Sequence, residues 1–416
     1  MKPNPLAAGL QLSRRESLVA LAGLATLPAL GLPVAVHAAS AAEPKWQELS
    51  KEFLIDKDLT YLNTGSLGGL PKPVIEERRK IESLLESNPV GEGFGSVLRD
   101  AEAVAGKVAQ LIGADPKNVT LTRNTTEGVN FVAEGINLQS GQRVLTSNQE
   151  HGGGLGAWKY LKKVRGIEID VAEIASPPES EDAIVDSFKK AIRKETRVIF
   201  CSHVTFSNGV NVPISRLSEL AHSHNCLMIV DGAQAAGGIP VDVIALGCDA
   251  YACSGHKHLL GPKGTGFLYI AEKARDQIKP MQLDDGYGFY TAIRGTNCMP
   301  EVIGLGQSID WITKIGRDVV LARVMSMRNS LYEILKKQNH VKIDSPPPGS
   351  SMASNLVCFS IPDRTRYAKL QEQFGKDKVI VKGVHINGID HRLTVHLYNT
   401  QMDLDKFAAS LKKGLA

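Results

Sequence analysis

The sequence of 416 residues carries little surplus charge of either sign. Its 48 lysines and arginines stand against 44 acids, a formal net charge of +4. Lys2, Arg14, Arg15 and Glu16 in residues 1–38 account for half of that surplus. Basic residues are interspersed with acids, so there is no electrostatic footprint for nucleic acid, which is not an expected partner. Long hydrophobic runs are also missing. The mild apolar run Leu18–Leu32 is short and broken by Gly23, Pro28 and Gly31, which excludes a permanent membrane span. No internal repeat or low-complexity segment follows residue 38, so a stacked-repeat architecture is excluded. Cysteines are few, at positions 201, 226, 248, 253, 298 and 358. Most sit in apolar strand-like runs, where cysteine acts as a small hydrophobe, and free thiols are expected. His222-x-His224-x-Cys226 straddles a helix end and a strand start, so no metal site is expected there.

What is present is enough for a two-domain globular protein, with 43% hydrophobic residues to build a core. Residues 1–38 stand apart. Ser13-Arg14-Arg15-Glu16-Ser17-Leu18 precedes the weakly apolar run, and Val36-His37-Ala38 supplies small residues for cleavage. This pattern reads as a twin-arginine export signal, which implies the export machinery as a partner and a periplasmic address. Residues 39–60 read as a polar leader, 61–300 as a large domain, and 301–416 as linking helices followed by a small C-terminal domain.

Apolar residues at helical spacing mark helices over Pro73–Ser87 and Ser96–Ile112. Strands and helices then alternate. Strands are expected at Val119–Thr122, Arg143–Thr146, Ile167–Ala172, Val198–His203 and Cys226–Val230, with helices at 125–135, 155–165, 181–194 and Ser215–Ser223 between them. The alternation predicts an α/β fold with a mostly parallel sheet covered by helices, whose ligands bind beyond the carboxyl ends of the strands. Further strands are expected at Ala250–Cys253 and Thr265–Ile270. Helices Glu301–Ile315 and Arg317–Lys337 lead to a smaller α+β unit, with strands near Leu356–Ile361, Val379–Lys382 and Leu393–Leu397 and a closing helix Asp403–Leu415.

Two strand ends carry the chemistry. The run Cys226–Val230 ends on Asp231-Gly232-Ala233-Gln234, and Ala250–Cys253 ends on Ser254-Gly255-His256-Lys257. A lysine that holds pyridoxal phosphate (PLP) as a Schiff base, with an acid for the pyridinium nitrogen, requires such a pair. The segments DGAQ and SGHKHLLGPKGTGFLYI resemble the class V aminotransferase family, which includes cysteine desulfurases, isopenicillin N epimerase and kynureninase. The resemblance extends from about Tyr61 to the C-terminus. It implies the PLP-dependent transferase type I fold, with a seven-stranded-type sheet in the large domain.

The resemblance also implies roles. Lys257 anchors PLP and moves protons at the substrate Cα; Asp231 keeps the ring nitrogen protonated; Gln234 hydrogen-bonds the phenolic oxygen. Thr125 and Thr126, at a helix N-terminus after Asn124, bind phosphate together with Ser254 and His256. His151 stacks on the pyridine face and is a candidate proton carrier. Thr296, in Arg294-Gly295-Thr296-Asn297, reaches the phosphate from a partner subunit, which implies a homodimer with a shared site. Arg392 grips a substrate carboxylate, and Asn63 lies in the loop that the family places near substrate.

Two departures narrow the activity. Val381–Asp390, just before Arg392, is short and holds no cysteine, so there is no persulfide acceptor and desulfurase chemistry is not expected. Phe206 stands where the desulfurase branch carries asparagine, and Asn208 is the candidate to supply that polar contact. The expectation is an exported PLP enzyme acting on the amino group of an amino acid or a peptide- or siderophore-like metabolite, by aminotransferase- or epimerase-type chemistry. A PLP-dependent C–S or other lyase, or a non-catalytic scaffold that keeps the fold, is the alternative. Where the Cα proton returns decides between epimerisation, transamination and elimination, and the sequence leaves that open.

Overall fold

Seven stretches rich in Val, Ile, Leu and Ala form the central sheet of the computed structural model, which describes residues 46–416. In chain order they are β1 (Val119–Thr122), β2 (Arg143–Ser147), β3 (Glu168–Ala172), β4 (Thr196–Ser202), β5 (Leu227–Asp231), β6 (Ala250–Ser254) and β7 (Gly266–Ile270). They lie side by side in the order β1-β7-β6-β5-β4-β2-β3. Pairing is parallel from β3 through to β6, while β7 runs antiparallel to both of its neighbours. Strands β1, β5, β6 and β7 are buried at every position. Covered on both faces, they read as continuous apolar runs, whereas edge strand β3 is mostly half-buried. The expected export signal at 1–38 lies outside the described residues, as does the start of the 39–60 leader. Among the described residues no helix is long and apolar enough to cross a membrane.

Residues 46–61 are not merely a polar approach to the fold. Phe53 is buried and packs edge-on against Trp311 and Tyr398, with ring centroids 5.8 and 5.2 Å away. Thr60–Tyr61 pairs in parallel with Val379–Ile380. The larger hydrophobic cluster surrounds the central sheet. A second unites Phe53 and Leu62 with the C-terminal elements, and helix Met299–Ile315 contributes to both.

The C-terminal sheet holds β8 (Lys342–Ile343), β9 (Leu356–Ser360), β10 (Lys382–Ile386) and β11 (Ile389–Thr394), in the antiparallel order β10-β11-β9-β8. Here the structure departs from the sequence expectation. The stretch before Arg392 is a hairpin whose turn is Asn387-Gly388, both in the left-handed region with φ of 52° and 77°. Such a pair fits the twist of a two-residue hairpin turn. Arg392 therefore sits inside a strand, opposite Cys358 of β9, and the expected strand Leu393–Leu397 lies too far along the chain.

Candidate active site

The carboxyl ends of β1, β4, β5 and β6 converge on a cavity of about 220 Å³. Its walls include Thr125, Thr126, His151, Phe206, Asp231, Gln234, Ser254, His256 and Lys257. Asp231 is the last residue of β5, and Ser254 the last of β6. Beyond Ser254 the chain closes a tight loop through Gly255 N–H to Thr265 O (2.8 Å) and Gly261 N–H to Gly255 O (2.8 Å), which presents Lys257 before β7 begins. Loop 63–68 leans on this segment, with Gly68 N–H donating to His256 O at 2.8 Å.

Electrostatics in the cavity are set by burial. Desolvation draws the Lys257 ammonium down to about 8, and Asp231 partly opposes it. Asp231 is itself pushed upward by burial, with Lys257 and the Ala233 N–H (2.9 Å to Oδ1) pulling it back. The two groups thus stabilise each other's charged forms in a site that disfavours either charge alone. Helix Gly152–Arg165 starts over Asp231, and a Cβ at Gly154 would lie 3.0 Å from Asp231 Oδ2 and 2.8 Å from Phe200 Cζ. Only glycine lets the helix pass this close. His151 caps that helix by accepting the Gly153 N–H at Nδ1 (3.0 Å), which puts its proton on Nε2. Its ring stands edge-on to Phe206 at 4.9 Å, and its pKa is lowered, first by desolvation and then by Lys257.

An anion cradle forms one wall. Asn124 caps helix Thr125–Gly135 through Glu127 N–H (2.9 Å), and Ser254 Oγ accepts the Thr125 N–H at 3.1 Å. Thr125 Oγ1 and Ser254 Oγ are 2.8 Å apart. A buried helix N-terminus ringed by hydroxyls is suited to a phosphate. His256 Nδ1 lies 3.2 Å from Thr265 O and must donate to it, so Nε2 can donate to a phosphate only when the ring is protonated.

Arg392 lies beyond the cavity wall. It is 2% exposed, and its guanidinium makes only long contacts, to Phe206 O (3.5 Å), Asn63 Oδ1 (3.4 Å) and Ser66 Oγ (3.3 Å). Its Nε has no hydrogen-bond partner and no acid pairs with it among the described residues. Burial lowers it to about 10. A buried guanidinium with unspent donors is costly unless an anion joins it. Gly65 makes room here, since a Cβ on it would meet Arg392 Nη2 at 2.9 Å and Gln234 Oε1 at 2.7 Å.

Two expected residues lie elsewhere. Asn208 is fully buried but faces away from the cavity: its amide donates to Ser176 Oγ (2.9 Å), and its Oδ1 accepts a short bond from Thr205 Oγ1. It builds the turn that carries Phe206, and Phe206 itself lines the cavity. Thr296 is exposed and does not line the cavity of its own chain, although Arg294 anchors its segment on β1 through Thr120 Oγ1 (2.6 Å). Sequence reasoning missed Glu150 and His258, both buried beside the cavity residues His151 and Lys257. Each is adjacent to a residue singled out, His151 and Lys257, and nothing in the local spacing marks them as buried polar groups.

The family model for aminotransferase class V matches residues 68–407. The chain belongs to this family. An isopenicillin N epimerase from Amycolatopsis lactamdurans is 29% identical over 88% of this chain and 98% of its own. A probable cysteine desulfurase from Methanothermobacter thermautotrophicus is 26% identical, over 88% and 97%. Among solved structures, the apo cysteine desulfurase from Thermococcus onnurineus NA1 shares the fold with a TM-score of 0.77, at 24% identity over 90% of this chain and 98% of that one. Class V enzymes are PLP-dependent, and the donor set fits that cofactor: a buried acid, a lysine held near neutrality, a helix N-terminus ringed by hydroxyls, and a cavity between them.

Proposed function

We propose that this enzyme acts on the amino group of a substrate that carries a free carboxylate, by epimerase- or aminotransferase-type chemistry. The observation that carries the reading is Arg392, a buried guanidinium without an acid, beside a cavity holding Lys257 and Asp231. Such a substrate is an α-amino acid, or a peptide- or siderophore-like metabolite with an amino-acid terminus.

When bound, PLP supplies an electron sink for negative charge at the substrate Cα. Lys257 would be its covalent anchor and the base that moves the substrate Cα proton. A side chain that loses its proton near pH 8 suits both tasks. Asp231 would keep the ring nitrogen protonated, His151 would cover the ring face, and Gln234 would meet the phenolic oxygen. Thr125, Thr126, Ser254 and His256 hold the phosphate. Thr296 completes the phosphate site of a partner subunit in a homodimer. Arg392, with Asn63 beside it, takes the substrate carboxylate.

Desulfurase chemistry is disfavoured by a specific observation. The hairpin 382–394 carries no cysteine, and Cys358, opposite Arg392, is buried with its thiol pushed up to about 12. It cannot serve as a thiolate acceptor near neutral pH.

The reading is tested by incubating purified enzyme with candidate amino acids in D₂O. Deuterium should enter at Cα, with inverted stereochemistry for an epimerase or with a keto product for an aminotransferase. No exchange at Cα with any carboxylate-bearing amine, alongside turnover of one that lacks a carboxylate, would refute it. Export through the twin-arginine machinery to the periplasm belongs to the same proposal and rests on Arg14-Arg15. Changing both to lysine should leave full-length precursor in the cytoplasm.

A further inference from the structure

We infer that His258, the residue after the candidate anchor Lys257, is a positioning residue that, together with the Gly65 carbonyl, holds the Gln234 amide with an N–H left for the cofactor cavity. The inference rests on the proposal that this cavity holds PLP.

One hydrogen-bond acceptor beside Gln234 is fixed. Gln234 Nε2 donates to the backbone carbonyl of Gly65 at 2.8 Å, and a carbonyl oxygen can only accept. That bond identifies which amide atom of Gln234 is the nitrogen and so which is Oε1. Oε1 lies 2.9 Å from His258 Nε2, so the His258 proton belongs on Nε2. Nδ1 is then an acceptor, and Asn355 Nδ2 lies 3.1 Å from it. Asn355 Nδ2 is also 3.2 Å from Nε2, but two donors cannot satisfy one another, so Nδ1 is its partner.

The result is a one-way chain of hydrogen bonds running from Asn355 through His258 and Gln234 to the Gly65 carbonyl. Asn355 and His258 are fully buried and Gln234 is 4% exposed, so no solvent competes for these bonds. His258 is further held by His396, whose Nε2 lies 3.0 Å from the His258 carbonyl. Burial also keeps the His258 ring neutral, pushing its pKa well down, which leaves the ring with one proton to place.

The consequence concerns Gln234. Its oxygen is held toward His258 and one N–H is used by Gly65, so the second N–H is its remaining donor, and Gln234 lines the cavity. A donor stabilises an anionic phenolic oxygen. Without the His258 donor only the Gly65 carbonyl would hold the amide, and its second N–H would be aimed less firmly at the cavity.

Three measurements on the full mature protein test this. Nitrogen-15 NMR of histidine-labelled enzyme should show His258 as the Nε2-protonated tautomer. In His258→Leu, loaded with PLP, the pH midpoint of the cofactor's visible absorbance change should rise by about half to one unit, the worth of one neutral hydrogen bond. His258→Gln, which keeps an N–H donor, should return the midpoint toward the wild-type value. An Nδ1-protonated His258, or an unchanged midpoint in folded His258→Leu, would overturn the inference. Should the leucine variant fail to fold, the tautomer and the glutamine variant decide. If wild-type enzyme holds no PLP on Lys257, the proposed function fails, while the tautomer still judges the donor chain by itself.

Discussion

Thr125 and Ser254 share one hydrogen-bond knot, with Thr125 N–H and Oγ1 lying 3.1 and 2.8 Å from Ser254 Oγ. They come from different strand ends, β1 and β6, which β7 separates in the sheet. The knot fixes the helix N-terminus against the segment that presents Lys257, so the proposed phosphate site and the proposed anchor are held at a set separation.

Ser254→Ala should therefore weaken PLP binding about tenfold, through loss of one hydroxyl and a buried Thr125 N–H left unpaired. Dialysis against free PLP, followed by absorbance, measures it. Affinity equal to wild type would show that the knot takes no part in holding phosphate.

Glu150 predicts a pH-dependent stability. It is 4% exposed, its two oxygens accept from Ser147 Oγ and Ser202 Oγ at 2.6 Å each, and burial raises it to about 7. In the unfolded chain it ionises near 4.5. Its protonated form thus favours folding below pH 4.5, and that contribution is lost as pH rises toward 7. Glu150→Gln removes the titration, so it should raise the melting temperature relative to wild type more at pH 8 than at pH 4. The gain is bounded at about 3 kcal/mol. An equal shift at both pH values would mean that Glu150 does not titrate in this window.

Arg392→Ala should weaken substrate capture by tens- to thousands-fold, since truncating one partner of a buried charged pair costs about 2–5 kcal/mol. The cofactor's own spectrum should not change. Substrate-induced spectral change and melting temperature, followed on the same variant, separate carboxylate binding from packing. Lost stability with unaltered affinity would assign Arg392 to packing alone.

Much of this was legible from the chain itself. The alternating apolar runs mark all seven strands of the central sheet to within about two residues, because strands covered on both faces are continuously apolar. The helix that His151 caps begins at Gly152, three residues before the sequence suggests, since three consecutive glycines conceal a helix start that tertiary packing over Asp231 requires. The hairpin before Arg392 carried a readable signal, Asn387-Gly388, obscured by short flanking strands with little alternation. Phe206 and Asn208 illustrate a harder limit. Both sit in one turn, and which side chain enters the cavity depends on Ser176, 32 residues before Asn208, which holds the Asn208 amide.

The absence of cysteine from the hairpin 382–394 has a direct consequence in assay. With L-cysteine as substrate, no persulfide should accumulate on the protein and sulfide release should stay at background. Mass spectrometry of the protein after turnover checks this, and a persulfide on Cys358 or any other cysteine would contradict it.

The central claim is that Lys257 anchors the cofactor. Borohydride reduction of the purified enzyme, followed by peptide mapping, tests it most directly. A phosphopyridoxyl label is expected on Lys257 alone, lost in Lys257→Ala. A label on another lysine, such as Lys263 with its Nζ 2.8 Å from Gly68 O, would contradict it.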